Sequence, residues 1–113
     1  MNTAQLCIQP ELRSTLTACK QHLVNHYDTK MSAIVLYGSA ARQQLNPNSD
    51  IDLLVLLTPP FNYFTELRKI VDLLYPLQLE STHWISAKPA SLDEFDNFQT
   101  QLYRNIQKEG IVL

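Results

Sequence analysis

From Leu12 the apolar positions return at Leu16, Cys19, Leu23 and Tyr27, every three or four residues, and Pro10 stands where a first helical turn tolerates a missing N–H. The spacing predicts a helix from Gln9 to about Asp28. Ala33–Tyr37 is then a short run of strand formers ending at Gly38-Ser39, and Ile51–Leu57 is apolar on both faces, as in a central strand covered from both sides. Between them "AARQQL" allows one or two helical turns, stopped by Asn46-Pro47-Asn48. Leu67, Ile70, Val71 and Leu74 mark a second long helix, ended at Tyr75-Pro76. From Leu77 to Ile85 the pattern alternates: Leu77, Leu79 and Ile85 on one side, Gln78, Glu80 and Thr82 on the other. That predicts a strand with one polar face. Ser91-Leu92-Asp93-Glu94 reads as a capping box. It opens a last helix through Phe95, Phe98, Leu102 and Ile106, with Gly110 as the left-handed residue that closes it.

This order, α β (α) β α β α, describes a mixed α+β protein: a small mixed sheet packed with helices, expected as one domain over residues 1–113. Its 45% hydrophobic content supports one core. Nine Lys+Arg against eleven Asp+Glu, a net charge of −2, leave no basic footprint, which argues against direct binding to nucleic acid. Leu53–Leu57 is too short to span a bilayer, and the first residues lack a basic stretch followed by an apolar one. A cytoplasmic protein is therefore expected, with Cys7 and Cys19 reduced.

The chemistry gathers between Ala33 and Leu57. Gly38 is one of only two glycines, and it ends a strand just before a serine. Without a Cβ, it lets an anion approach the main chain, and a following helical turn offers unpaired N–H groups. Asp50 and Asp52 open the next strand, one residue apart, which points both carboxylates to one face. Two such charges call for a cation. Mg²⁺ takes oxygen ligands and is typically held by one or two carboxylates plus substrate phosphates. A Gly-Ser turn, ten residues (Ala40–Ser49) and Asp-x-Asp together read as the two halves of a metal–nucleotide site.

"GSAARQQLNPNSDIDLLV" resembles the signature of the DNA polymerase β-type nucleotidyltransferases, in particular the minimal nucleotidyltransferase (MNT) domains. Arg42 of "GSAAR" and Ser49 of "SDIDLLV" match the pattern, and "YRNIQKEGIVL" is similar to the ends of other short members. The resemblance implies that Gly38 and Ser39 hold the triphosphate of ATP and that Asp50 and Asp52 bind Mg²⁺, with Ser49 part of the nucleotide site. Arg42 would contact phosphate or make a structural ion pair. The family usually adds a third carboxylate from a neighbouring strand. Gln78 falls at that position on the strand read over Leu77–Ile85, and Glu80, two residues further on the same face, is the catalytic candidate in its place; it also reads as an exposed glutamate on a polar face.

Larger relatives use an extra domain to hold the acceptor, and 113 residues leave no room for one, so the acceptor surface is expected from another copy, another protein, or the acceptor itself if it is a macromolecule. MNT proteins commonly act with a helical HEPN-type partner as the antitoxin of a toxin–antitoxin pair, some by transferring AMP to it. A catalytically weak module that docks on its partner and a small-molecule enzyme of the aminoglycoside type are the alternatives.

The remaining chemical side chains read more plainly. His22 and His26 have the spacing of a zinc pair but no third ligand, so they are expected on a solvated helix face. His83 is expected to be semi-buried and satisfied. Trp84, Phe61, Tyr63 and Phe64 are expected at the core or its rim, with a stacking surface or a partner patch as the other reading.

Overall fold

The structure, a computed structural model, describes residues 8–113. Helix α1 (Pro10–Tyr27) buries Leu12, Leu16, Cys19, Leu23 and Tyr27, the five positions that the spacing picks out. Asp28, at φ 49°, turns the chain out of the helix, and a 3-10 turn (Asp28–Lys30) leads into strand β1 (Met31–Tyr37). Strand β2 (Ile51–Leu57) pairs antiparallel with β1, placing Tyr37 opposite Asp52. Helix α2 (Tyr63–Glu80) carries the chain across, so that strand β3 (Ile85–Ser91) returns parallel to β2 with Ser86 opposite Asp52. Helices α3 (Leu92–Asp96) and α4 (Gln101–Glu109) follow, and β4 (Ile111–Val112) closes the sheet antiparallel to β1. The strand order is β3-β2-β1-β4, a mixed four-stranded sheet of the expected α+β class.

Period-two alternation sends the strand side chains into two apolar layers. Ile34, Leu36, Ile51, Leu53, Val55 and Leu57 meet α1 and α2 on one face, together with Ile85 and Ala87. Val35, Leu54, Leu56 and Ala90 meet Phe95 of α3 and Ile106 of α4 on the other. Pro89 lies on the edge strand, where a missing N–H costs no ladder bond in the middle of the sheet.

Three expectations are corrected. The strand over Leu77–Ile85 does not form: α2 runs through Pro76 to Glu80. Ile70, Leu74 and Leu77 keep helical spacing and pack on the core, which offsets the backbone bond that Pro76 removes. The true strand begins at Ile85, where Ile85, Ala87 and Pro89 are buried while Ser86 is half-buried and Lys88 exposed.

The last helix is two helices. Ser91 does cap the first, its side chain accepting from Glu94 N at 3.5 Å. Phe98 then adopts φ 54°, and Thr100 caps a second helix by accepting from Tyr103 N at 3.0 Å. Phe98 and Leu102, expected on the apolar face, are exposed.

Gly110 is extended (φ −69°, ψ 156°), not left-handed. It is small because a Cβ there would lie 2.6 Å from Val35 Cγ1 and 2.7 Å from the Ile106 carbonyl oxygen. It lets the chain leave α4 tight against β1 and enter β4, a strand the sequence pattern did not reveal.

Candidate active site

β1 and β2 are antiparallel and β2 and β3 parallel, so the end of β1 and the starts of β2 and β3 meet at one end of the sheet. Gly38, Asp52 and Ser86 are brought together there. Asp52 alternates with Leu54 and Leu56, so its side chain lies on the face that α3 and α4 cover, beyond the apolar layer they fill. Asp50, exposed, immediately precedes β2.

Gly38 has φ +73°, and a Cβ built on it would collide with the Asp52 carboxylate, with Asp52 Cγ 3.3 Å away. The glycine is therefore needed by the neighbouring aspartate as well as by the turn. That turn is a single tight loop: Gly38 O accepts from Arg42 N at 3.3 Å and Ser39 O from Gln44 N at 2.8 Å. The expected one or two turns of helix over Ala40–Leu45 amount to this loop and no helix.

The electrostatics follow from the packing. Burial, and then the charge of Asp50, raise the pKa of Asp52, while Lys88 and Arg42 pull it down. Burial, and then the Asp52 charge, push the Tyr37 phenol up to about 12. Among the described residues the ion pairs are Arg42–Glu109 at 3.4 Å and Lys69–Glu66 at 3.6 Å, so neither Asp50 nor Asp52 is spoken for by a protein cation. Two adjacent carboxylates, one of them half-buried and resisting ionisation, suit a divalent cation that completes its shell with phosphate and water. Among the described residues no group of three His, Cys, Asp or Glu stands together, so the site is a pair and not a cage.

The other candidates fall into place around this pair. Ser39 is half-buried on the Gly38 turn. Arg42 reaches Glu109 at the end of α4 and still bears on Asp52, so of its two expected roles the ion pair is present. Ser49 is built into the turn before β2: its hydroxyl accepts from Asn46 N at 3.2 Å and its carbonyl meets His83 Nδ1 at 3.0 Å. His83 is thus the satisfied, part-buried residue expected, on the loop before β3.

Glu80 and Gln78 are not beside the aspartates on a strand. Glu80 is the exposed last residue of α2 and is absent from the charges that act on Asp52. The Gln78 amide clamps the turn into β3, donating to His83 O at 3.0 Å and accepting from Ile85 N at 2.6 Å. The polar residues that share Asp52's face on β3 are Ser86 and Lys88, with Ala90 further along. The alternation in "ISAKP" would have revealed them had the strand been started at Ile85.

Of the residues read more plainly, His22 and His26 lie on α1, with no third ligand beside them among the described residues. Cys19 is a buried free thiol, its pKa raised to about 11 by burial; Cys7 lies outside the described residues. Phe61 packs on the core, whereas Trp84 (64% exposed) and Phe64 (76%) are surface residues and not rim.

A mixed sheet with a Gly-Ser turn and an Asp-x-Asp strand at one end defines the class of a nucleotidyltransferase. The family described as Polymerase beta, Nucleotidyltransferase matches residues 18–113, and the chain belongs to it. A relative, named Putative protein adenylyltransferase MJ0604, from Methanocaldococcus jannaschii, is 32% identical over 92 residues, spanning 80% of this chain and 86% of that protein.

Proposed function

We propose that the chain transfers AMP from ATP, with Mg²⁺, to a hydroxyl group of a partner protein. The carrying observation is the Asp50–Asp52 pair at the start of β2, backed by a glycine whose missing Cβ makes room for the Asp52 carboxylate. The name of the archaeal relative supports adenylyl transfer to protein. In this reading the acceptor oxygen forms a bond to the α-phosphorus as the bond to the bridging oxygen breaks. Pyrophosphate leaves with the electron pair, and the hydroxyl proton passes to solvent. Mg²⁺, when bound, neutralises charge on the phosphates. Asp50 and Asp52 would hold it, the Gly38-Ser39 turn would hold the triphosphate, and Arg42 and Ser49 would border the nucleotide.

The motif's resemblance to MNT domains supports a helical HEPN-type partner, with this chain as the antitoxin of the pair. A second reading is favoured by one observation: no carboxylate joins Asp50 and Asp52 from β3. On that reading the chain binds nucleotide, docks on its partner and transfers little. Intact masses separate the two after incubation with ATP, Mg²⁺ and the product of the adjacent reading frame. A gain of AMP on the partner, absent with Asp52→Asn, supports transfer. A stable complex of unchanged mass contradicts it and leaves docking.

A further inference from the structure

The sheet register limits which side chains can share the face of Asp52. Tyr37 stands beside it on β1, Ser86 beside it on β3, and Lys88 one pleat further along β3, level with Leu54. None is a carboxylate. A second divalent cation calls for another carboxylate oxygen, and the face offers only a phenol at Tyr37 and a hydroxyl at Ser86. Glu80, the candidate for that task, sits at the end of α2 instead.

What the face does supply is a cation. Lys88 is exposed and takes part in neither ion pair of the described residues, yet it is one of the two positive charges that act on Asp52. The other, Arg42, is engaged with Glu109 at 3.4 Å. A lysine ammonium is a point charge on a flexible four-carbon stem, suited to phosphate oxygens whose position it need not match as a fork would.

We propose that Lys88 takes the place of a second metal: its ammonium binds the nucleotide phosphates over Asp52, and the site admits one divalent cation, held by Asp50 and Asp52. This rests on the nucleotide-binding reading above. Lys88 touches the substrate in this arrangement and is assigned as a substrate-binding residue, while Ser86 stands where a carboxylate would open a second cation site.

Mn²⁺ serves as the probe, counted by electron paramagnetic resonance in the presence of a non-hydrolysable ATP analogue. The wild-type chain is expected to bind one Mn²⁺ at saturation. Lys88→Met should weaken the analogue by about tenfold, the scale of one charge-assisted contact, and Lys88→Arg should restore most of it. The double variant Ser86→Asp with Lys88→Met should bind a second Mn²⁺. Lys88 is exposed and Ser86 only half-buried, and thermal melts of each variant verify the fold. Two Mn²⁺ ions on the wild type, or analogue affinity indifferent to Lys88→Met, overturns the assignment while leaving nucleotide binding intact. A wild-type chain that binds neither Mn²⁺ nor the analogue overturns the nucleotide-binding reading and this inference with it.

Discussion

The two faces of the sheet are built for different work. On one, α1 and α2 cover the strands along their whole length, and every strand residue that faces them from Ile51 to Leu57 is apolar and buried. On the other, α3 and α4 are short, and their apolar layer stops at Leu54; beyond it the same alternation delivers Asp52, with Ser86 and Tyr37 beside it. The covered face stabilises the sheet. The half-covered face leaves its end open, where a carboxylate whose ionisation is penalised by burial can be tolerated and used. The proposed site lies where the packing stops.

The largest expected effect tests the covered face. Leu53→Ala should cost about 2–5 kcal/mol in denaturant unfolding, the range for truncating a buried core leucine. A loss below about 1 kcal/mol would mean that this face is not the stability-bearing one.

The two glycines sharpen the contrast, because each is small for the sake of particular neighbours. Gly110→Ala should destabilise by about 1–3 kcal/mol through overpacking against Val35 and the Ile106 carbonyl, with nucleotide affinity unchanged. Gly38→Ala should destabilise by about 1–2 kcal/mol for its positive φ, and it should also abolish nucleotide binding by displacing the Asp52 carboxylate. Equal affinities in the two variants would break the link between the Gly38 turn and the site.

Acidity gives a smaller signature. The folded-state pKa of Asp52 is raised above its unfolded value, so its ionisation penalises the fold at pH 7, and that penalty disappears as pH falls below the ordinary aspartate value of 3.8. Asp52→Asn should therefore melt higher than wild type at pH 7, the gain vanishing in acid. A lower melting temperature at pH 7 would contradict the electrostatic reading.

Smallest of all is Glu80→Gln, at an exposed helix end. Stability should stay within about 0.5 kcal/mol, and turnover should match wild type. A clear drop in turnover would return Glu80 to the site.

The sequence was most legible where one signal acted alone. The five apolar positions of α1, the doubly buried β2 and the Ser91 cap all appear as read, because periodicity or a cap decides them locally. That the Gly38 turn and the Asp50-Ile51-Asp52 strand start would fall at one end of the sheet was legible in the same local way, from a strand, a turn and a strand in succession.

The misreadings arose where tertiary contacts outweighed a local rule. Pro76 signals a helix end, yet packing of Leu74 and Leu77 on the core carries α2 past it, and this moved the next strand by eight residues, from Leu77 to Ile85. With the strand went the third-acid candidates, since side-chain partners follow register. Gly110 looked like a helix terminator, but the reason for it is Val35, 75 positions earlier in the chain and invisible to any local pattern. That close approach lies directly before β4, where the chain joins β1.

On the proposed function, Asp50, Asp52 and the Gly38 turn form one metal–nucleotide site. Its most direct test is calorimetric titration of ATP into the wild-type chain and into Asp52→Asn, each with Mg²⁺ and with a chelator. Mg²⁺-dependent binding to the wild type is expected, with a loss of more than about tenfold in Asp52→Asn, while that variant remains folded by circular dichroism. Equal affinity in the two proteins, or wild-type binding indifferent to Mg²⁺, would contradict it.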